Sequence, residues 1–225
     1  KGAGEELLRW IPCVPDNALY QRPAFANAEE RSNFRRDAGA QDEDVVFVVS
    51  GKLEPRKHPA GALVALQKHP AANCKLWFLG SGPLEQDLHR QAQELGVADR
   101  VHWWGFRNQS EIPPILQAAD VLLHPSERDP WPYSILEGAM CGLALLLSDR
   151  TGSHPDLVGD AGAGVVFRCG DTSGLARQMS RLMSDDALRR ECSTRARQRA
   201  SKHTEERFCE IIEQCCTDLL NPSPR

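Results

Sequence analysis

The sequence predicts an α/β fold, a doubly wound parallel sheet of about six strands with helices on both faces. Two observations support this prediction. From Asp44 onward, short apolar segments alternate with longer segments in which apolar residues recur at helical spacing. The first apolar segment, Val45–Val49, has no polar position, which is typical of a strand buried on both faces. Strands that alternate with helices are joined by crossovers and therefore lie parallel.

The predicted elements follow in order along the chain. Each strand is short and apolar, and each helix is marked by apolar residues three or four positions apart. The strands are Val45–Val49, Lys75–Leu79, Val101–Gly105, Val121–Leu123, Ala144–Leu147 and Gly164–Phe167. The helices between them are Pro59–His69, a segment from Leu84 that Gly96 ends, Ser110–Ala119 and Tyr133–Met140. This order places four loops at the carboxyl edge of the sheet, where ligands bind in such folds.

The length of 225 residues fits one large domain or one and a half. We interpret residues 1–43 as a linker and approach segment with one polar helix, Ala24–Ala38. Residues 44–184 are predicted to form one Rossmann-like domain, and residues 185–225 to form the C-terminal helices. In Glu205–Leu220 the apolar residues form doublets three and four positions apart, which predicts core positions of an amphipathic helix for Cys215 and Cys216.

The composition excludes several classes of protein. Hydrophobic residues make up 41% and charged residues 26%, which is ordinary for a globular domain. A net charge of −4 without a basic stripe argues against a nucleic-acid partner. The longest uncharged apolar run, Gly138–Ser148, is far shorter than the roughly 18 residues of a transmembrane segment. Lys1–Trp10 lacks the apolar stretch of a signal peptide.

The eight cysteines include no C-x-x-C pair, so the sequence predicts neither a zinc site nor a redox motif. Most of them stand alone within apolar stretches. We therefore expect reduced cysteines that act as small hydrophobic side chains, as is typical of a cytoplasmic protein.

Two glycine-containing loops follow the first two strands. After Gly51, the cations Lys52, Arg56 and Lys57 lie within six residues, which suits the binding of a diphosphate. A solvated basic loop without a ligand would have the same sequence pattern. The turn Gly80–Gly82 opens a helix but lacks the third glycine of a dinucleotide fingerprint. A tight turn is an equally good interpretation of that segment.

The loops after the third and fourth strands carry further candidates. Backbone groups of Gly105–Arg107 could face a base, or form an ordinary turn. Asp129 lies in the next loop and Glu137 eight residues later in the helix Tyr133–Met140, whose free amide groups suit a phosphate. Because Glu137 lies on an otherwise apolar helix, its burial requires a hydrogen-bonding partner. Ligand hydroxyls would meet that need, as would a salt bridge or the helix dipole.

In their order and spacing, these segments resemble the carboxy-terminal, donor-binding domain of retaining glycosyltransferases of the GT-B architecture, the glycosyl transferases group 1 family. The signature of that family combines a glycine–basic–x4–lysine loop, a G-x-G turn, a strand that ends in glycine, and an acidic–x7–glutamate segment before Cys-Gly. The matching residues are Gly51-Lys52-x4-Lys57, Gly80–Gly82, Trp104-Gly105-Phe106, Asp129-x7-Glu137 and Cys141-Gly142. The resemblance covers nearly the whole chain from Ile11 onward.

The resemblance implies a role for each matching residue. Lys52 and Lys57 would hold the donor diphosphate, Glu137 would accept hydrogen bonds from the ribose, and Asp129 would bind hydroxyls of the transferred sugar. Asp129 and Glu137 are thus the candidate catalytic residues. The remaining candidate donor-binding residues are Gly51, Gly82, Phe106, Arg107, Trp131, Tyr133 and Ser134. The implied reaction transfers a sugar from a UDP-, GDP- or ADP-linked donor with retention at the anomeric carbon, without a metal or other cofactor.

The chain departs from the family pattern at three places. Asp129 stands where glutamate is usual, Pro130 and Pro132 remove amide donors from the loop, and Lys52 replaces a common arginine. These differences bear on the preferred sugar more than on the class of donor.

The resemblance also implies an amino-terminal domain of similar size, outside this chain, which binds a sugar, glycan or lipid-linked acceptor. Trp10–Pro23 resembles the interdomain linker, and Glu205–Leu220 would cross toward the other domain with part of its apolar stripe exposed. We expect this chain alone to bind donor and transfer little. The expected location is cytoplasmic, at the inner membrane surface where the acceptor or the other domain brings it there.

Two other functions fit the sequence less well. A non-catalytic nucleotide-sugar-binding or interaction module would use the same crevice without chemistry. A nicotinamide-dependent enzyme or epimerase of related architecture would require the G-x-G-x-x-G motif and an acid–base pair, and the sequence has neither in an obvious form.

Overall fold

The chain folds around a six-stranded sheet in which every pair of neighbouring strands is parallel. The computed structural model describes residues 11, 13–69, 71–159 and 162–220. The strands are β1 (Val45–Ser50), β2 (Cys74–Leu79), β3 (Val101–Gly105), β4 (Val121–His124), β5 (Ala144–Ser148) and β6 (Gly164–Phe167), in the order β3-β2-β1-β4-β5-β6. This topology confirms the predicted doubly wound, Rossmann-like fold.

The helices match the predicted alternation with small shifts at their ends. They are α1 (Asn17–Gln21), α2 (Ala28–Asp37), α3 (Pro59–Lys68), α4 (Glu85–Glu94), α5 (Ile112–Ala118), α6 (Tyr133–Met140), α7 (His154–Leu157), α8 (Thr172–Ser184), α9 (Asp186–Ala200) and α10 (Glu205–Leu220). The predicted helix Ser110–Ala119 is shorter because its first turn, Gln109–Glu111, is a 3-10 helix closed by a capping box. The predicted polar helix Ala24–Ala38 begins only at Ala28, where the Asn27 side chain caps it.

The core consists of two layers, one on each face of the sheet. In β1 all six residues are buried, and their side chains alternate between the layers. Val46 and Val48 pack with α5, α6 and α9, whereas Phe47 packs with α3 and α8 on the opposite face. Both faces of the central strands are thus covered, whereas the edge strands β3 and β6 are partly exposed.

The amino-terminal segment is tied to the sheet by a buried arginine. The Arg35 side chain, 1% exposed, donates hydrogen bonds to the carbonyl oxygens of Ala118 at 2.5 Å and Asp44 at 2.6 Å. It also lies 3.2 Å from a carboxylate oxygen of Asp120, which accepts a hydrogen bond from the Val46 amide. The helix α2 therefore packs directly on the sheet domain, while the predicted domain limits at residues 43 and 184 stay predictions.

The carboxy-terminal helix corrects one prediction. Helix α10 has no buried residue; Cys215 is half-buried and Cys216 is exposed, so neither occupies a core position. The apolar doublets predicted burial, but in the described part of the chain the side chains of α10 are at most half-buried, and Leu219 and Leu220 are 78% and 80% exposed. The expected exposure of part of its apolar stripe is confirmed.

All eight cysteines are free, and Cys74, Cys141 and Cys192 are buried in the apolar layers as expected. Among the described helices, none is both long enough and apolar enough to cross a membrane.

The buried Arg35 predicts a large loss of stability on substitution. Replacing Arg35 by methionine keeps most of its volume, but it leaves the buried Asp44 carbonyl without its donor and removes a buried cation that faces Asp120, so we expect the free energy of unfolding to fall by about 2–4 kcal/mol. Urea denaturation measures this change. The neighbouring Arg36 is exposed and its guanidinium hydrogen-bonds the side chain of Asn33, so Arg36→Met is the control and should change stability by under about 0.5 kcal/mol. Equal effects of the two substitutions would contradict the role of Arg35.

Candidate functional site

The sheet order creates a crevice at one point of its carboxyl edge. Strands β1 and β4 are neighbours, but the chain leaves β1 toward β2 and leaves β4 toward β5. The two connections therefore diverge, and ligands in doubly wound folds bind where they do so. We name the segment of residues 51–58 the β1 loop and that of residues 125–132 the β4 loop.

A cleft of about 420 Å³ lies on the β2 and β3 side of this point. Its volume is typical of sites for small ligands. Five of the predicted donor-binding residues line this cleft, which we name the β1–β3 cleft: Gly51, Lys52, Gly82, Phe106 and Arg107. The structure thus brings together candidates from three separate loops, and the Phe106 ring is 69% exposed.

The glycines of this cleft allow two loops to pack backbone against backbone. The Leu53 amide donates to the Ser81 carbonyl at 3.0 Å, and the Leu84 amide donates to the Leu53 carbonyl at 3.1 Å. A Cβ atom on Gly82 would overlap the Leu53 carbonyl group, so only glycine fits there. This contact accounts for the Gly80–Gly82 turn as a packing feature. A role in phosphate binding stays a prediction.

A buried ion pair joins the β1 and β4 loops. The Lys57 ammonium contacts the Asp129 carboxylate, and His124 Nε2 lies 3.1 Å from the same oxygen atom, Oδ2. Asp129 is 6% exposed and His124 is 2% exposed. Ser126 Oγ lies 2.9 Å from His124 Nε2 and completes the cluster.

The charges in this cluster follow from burial and contact. Burial favours the protonated form of Asp129, but hydrogen bonds from His124 and Lys57, together with the Lys57 charge, outweigh burial and lower the pKa of Asp129 to about 2. Burial lowers the pKa of His124 below its ordinary value, so its ring is neutral at pH 7. Asp129 is therefore an ionised carboxylate that has one cation, Lys57, and one neutral hydrogen-bonding partner.

Further contacts hold the two loops together. The Glu127 amide donates to the Arg56 carbonyl at 2.9 Å, and the Glu127 carboxylate lies 3.2 Å from His58 Nδ1. The pocket between the loops, lined in part by Lys57 and His124, has a volume of only about 10 Å³. In this structure the loops are therefore closed on each other beside the open β1–β3 cleft.

Glu137 is held by a tyrosine from the amino-terminal segment. The Tyr20 hydroxyl donates to Glu137 Oε1 at 2.9 Å, and in the described part of the chain Oε2 makes no hydrogen bond. Burial raises the pKa of Glu137 above its ordinary value, and the hydrogen bond from Tyr20 opposes that rise. The contact observed is neither a salt bridge nor the helix dipole but a neutral hydroxyl, which holds one oxygen atom of the carboxylate.

The remaining predicted site residues lie apart from the β1–β3 cleft. The Trp131 ring packs 5.9 Å from the His203 ring. Tyr133, 50% exposed, lines a second cleft with Cys13 and residues of α10. Ser134 is half-buried at the second position of α6, and Pro132 at the start of that helix makes no side-chain cap. The structure thus separates Trp131 and Tyr133 from the glycine-lined cleft, which contains Phe106.

Two residues of the site were missed from the sequence, His124 and Tyr20. The fourth strand was predicted to end at Leu123, whereas it continues to His124. A histidine at the carboxyl end of a strand beside the crevice was a usable signal. Tyr20 carried no such signal, because it lies 117 residues from Glu137 in a segment interpreted as a linker. In the described ranges, no group of three or more His, Cys, Asp or Glu side chains is placed to hold a metal ion.

Comparison with known proteins identifies the family of this chain. The model of the family "Glycosyl transferases group 1" matches residues 30–199. The lipopolysaccharide core biosynthesis glycosyltransferase LpsD of Rhizobium meliloti is 31% identical over 186 residues, which make up 83% of this chain and 52% of that protein. The D-inositol 3-phosphate glycosyltransferase of Corynebacterium jeikeium is 29% identical over 220 residues, or 93% of this chain and 52% of that protein.

Solved structures show the same fold. Anabaena Alr3699/HepE in complex with UDP and glucose superposes with a TM-score of 0.81 at 24% identity, covering 97% of this chain and 58% of that one. The C-terminal domain of a glycosyl transferase group 1 family protein, LpcC from Francisella tularensis, gives 0.73 at 15% identity and covers 84% of this chain and 97% of that domain. The chain thus spans about half the length of the curated relatives it matches.

The packing of the two glycine loops predicts the effect of one added methyl group. Gly82→Ala should lower the free energy of unfolding by about 1–3 kcal/mol, because the Leu53 backbone cannot move away without breaking its own hydrogen bonds. Chemical denaturation measures the change. Ser81→Ala is the matched control, since it leaves the backbone contacts of the same turn intact. A Gly82→Ala protein as stable as the control would contradict this packing.

The buried ion pair predicts how stability depends on pH. The pKa of Asp129 is about 2 in the folded chain, below the value of about 3.9 usual in an unfolded one, so ionisation of Asp129 stabilises the fold above about pH 4. That stabilisation is lost as the pH falls toward 2. The difference in unfolding free energy between the native chain and Asp129→Asn should therefore shift in favour of the variant from about pH 5 to about pH 3. Asp87→Asn, at an exposed site, is the reference, and a pH-independent difference for Asp129→Asn would contradict the expectation.

Proposed function

Because the chain belongs to the glycosyl transferases group 1 family, we propose that it is the donor-binding half of a retaining glycosyltransferase. In this proposal the enzyme transfers a hexose from a nucleoside-diphosphate sugar to an acceptor. The observation that carries the proposal is the meeting of a glycine-lined cleft, a lysine and a buried carboxylate at the point where the β1 and β4 connections diverge.

The β1–β3 cleft suits the nucleotide part of the donor. Its volume of about 420 Å³ fits a ligand of nucleoside size, and Gly51, beside which no atom lies where a Cβ would stand, lets a ligand approach the backbone closely. The exposed ring of Phe106 offers an apolar surface, and the backbone beside it offers hydrogen bonds to a base. Lys52 lines the same cleft and is exposed, so it would reach the diphosphate without breaking an existing contact.

The carboxylates suit the hydroxyl groups of the donor. Glu137 keeps Oε2 for the ribose while Tyr20 holds Oε1, and this division explains how a half-buried carboxylate is stabilised before a ligand arrives. Asp129 is ionised and accepts hydrogen bonds, so it would hold hydroxyls of the transferred sugar. The free amide groups at the start of α6, at Tyr133 and Ser134, would meet a phosphate.

Cationic side chains would balance the charge of the diphosphate. Lys52, Arg56 and Lys57 all lie in the β1 loop beside the crevice. Lys52 is exposed, Arg56 pairs with Glu54 and Lys57 pairs with Asp129, so the latter two would turn from these carboxylates to take the place that a divalent metal has in many nucleotide-binding sites. We therefore propose a transfer step that uses no metal.

The comparisons suggest which donor and which partner domain to test. Solved structures of the same fold contain UDP or UDP-glucose, so UDP is the first nucleotide to test, with GDP and ADP as alternatives. Since the chain spans about half of its curated relatives, we propose that an amino-terminal domain binds the sugar, glycan or lipid-linked acceptor. Without it, the chain would bind donor and transfer little.

We propose a cytoplasmic location, at the inner membrane surface where a lipid-linked acceptor requires it. Eight free cysteines, three of them buried, support a reducing compartment.

Nucleotide binding tests the proposed function. Calorimetric titration with UDP, GDP and ADP should show one of them binding, and Glu137→Gln should weaken that binding by about 1–3 kcal/mol because a charged acceptor for the ribose is lost. The substitution keeps an oxygen atom for Tyr20, so the local fold is retained. Glu94→Gln, an exposed site on α4, is the matched control and should bind nucleotide as the unaltered chain does. Failure of all three nucleotides to bind at millimolar concentration would contradict the proposal.

A further inference from the structure

Lys57 and Asp129 contact each other, although each is expected to contact a different part of the donor. Lys57 would hold the diphosphate and Asp129 would hold sugar hydroxyls, yet their ion pair closes the β1 loop on the β4 loop. The pocket between the loops has a volume of only about 10 Å³, so a ligand that uses both side chains must separate them. This contact therefore competes with the donor at both positions.

The free energy needed to separate Lys57 from Asp129 depends on the surroundings of Asp129. Its side chain is 8% exposed, and among the described residues Lys57 is the one cation that contacts its carboxylate. The other partner, His124, is a buried ring that donates a hydrogen bond but carries no charge at neutral pH. If Lys57 turns to a phosphate, Asp129 is left as a buried anion with a single hydrogen bond, which is a costly state.

Whether this unfavourable free energy is offset depends on the groups that the ligand brings to Asp129. A nucleoside diphosphate that carries a sugar brings hydroxyl groups that can donate to Asp129 when Lys57 leaves. At the position of the sugar, a bare nucleoside diphosphate brings only the oxygen atoms of its terminal phosphate, and these repel the carboxylate. The two ligands share the nucleoside and differ at the terminal phosphate, which carries either the sugar or an additional ionisable oxygen, so the difference between them arises in the part of the site that Asp129 would contact.

We propose that Asp129 determines specificity for the sugar-bearing nucleotide, by competing with the diphosphate for Lys57 unless sugar hydroxyls take the place of that lysine. The inference rests on the proposed function and deepens it. It also bears on turnover: after transfer the sugar hydroxyls leave Asp129, Lys57 returns to the carboxylate, and the bare diphosphate loses one of its cations. Release of the nucleotide product is thereby favoured.

The test compares a bare nucleotide with its sugar conjugate. In calorimetric titrations, Asp129→Asn should bind bare UDP at least about fivefold more tightly than the unaltered chain, because Lys57 becomes available. The affinity for UDP-glucose should rise less than the affinity for UDP does. The preference of the chain for UDP-glucose over UDP should therefore fall. If GDP or ADP is the nucleotide that binds, the same comparison uses that nucleotide and its glucose conjugate. Most binding-site substitutions weaken binding, so a gain for the bare nucleotide is a distinctive sign.

Two controls separate the ion pair from general electrostatics. Glu127→Gln removes the same charge from the same loop, but Glu127 is 55% exposed and contacts His58 rather than Lys57, so UDP should bind unchanged. In a Lys57→Met background, Asp129→Asn should no longer tighten UDP binding, since the lysine it would release is absent. Thermal unfolding of each variant verifies that it is folded.

The outcomes distinguish the two proposals. If the unaltered chain binds no nucleotide, the proposed function fails first. If it binds UDP but folded Asp129→Asn binds UDP equally or more weakly, the function stands and the specificity role is overturned. An equal gain in Glu127→Gln, or a gain that persists without Lys57, would likewise overturn it.

Discussion

The organisation of the site depends on the need to stabilise one buried carboxylate. Asp129 lies at the carboxyl edge of a sheet covered on both faces, where an ionised group without partners would be strongly unfavourable. Its partners come from different parts of the chain, Lys57 from the loop after β1 and His124 from the end of β4. Satisfying this one group therefore fixes the relative positions of the two loops that border the crevice.

Much of the fold could be predicted because its signals are local. Alternating apolar strands and amphipathic helices identify the sheet, and parallel strands require both faces to be covered. The prediction was wrong where burial depends on a distant partner. The doublets containing Cys215 and Cys216 indicate an amphipathic helix correctly, but periodicity does not say what packs against that helix. Likewise, nothing local indicates that Arg35 reaches Asp120, 85 residues away.

In the candidate site, too, local features could be predicted from the sequence and contacts between distant residues could not. Residues in loops after strands could be placed at the carboxyl edge from the order of elements alone, and Gly51, Gly82 and Phe106 do meet in one cleft. The pairing of side chains could not be predicted, because Lys57 and Asp129 are 72 residues apart and Tyr20 is farther still from Glu137. Ion pairs between loops depend on the register of neighbouring strands and on side-chain rotamers. The spacing of residues along the sequence specifies neither.

The contact between α2 and the sheet has a consequence for truncation. A chain cut at Asp44, the predicted start of the domain, would lose the guanidinium group that satisfies the carbonyl oxygens of Ala118 and Asp44. It would also expose the apolar surface that Tyr20 covers beside α6. A shortened chain that remains stable is therefore expected to include α1 and α2, because these two helices brace the sheet rather than only tether it.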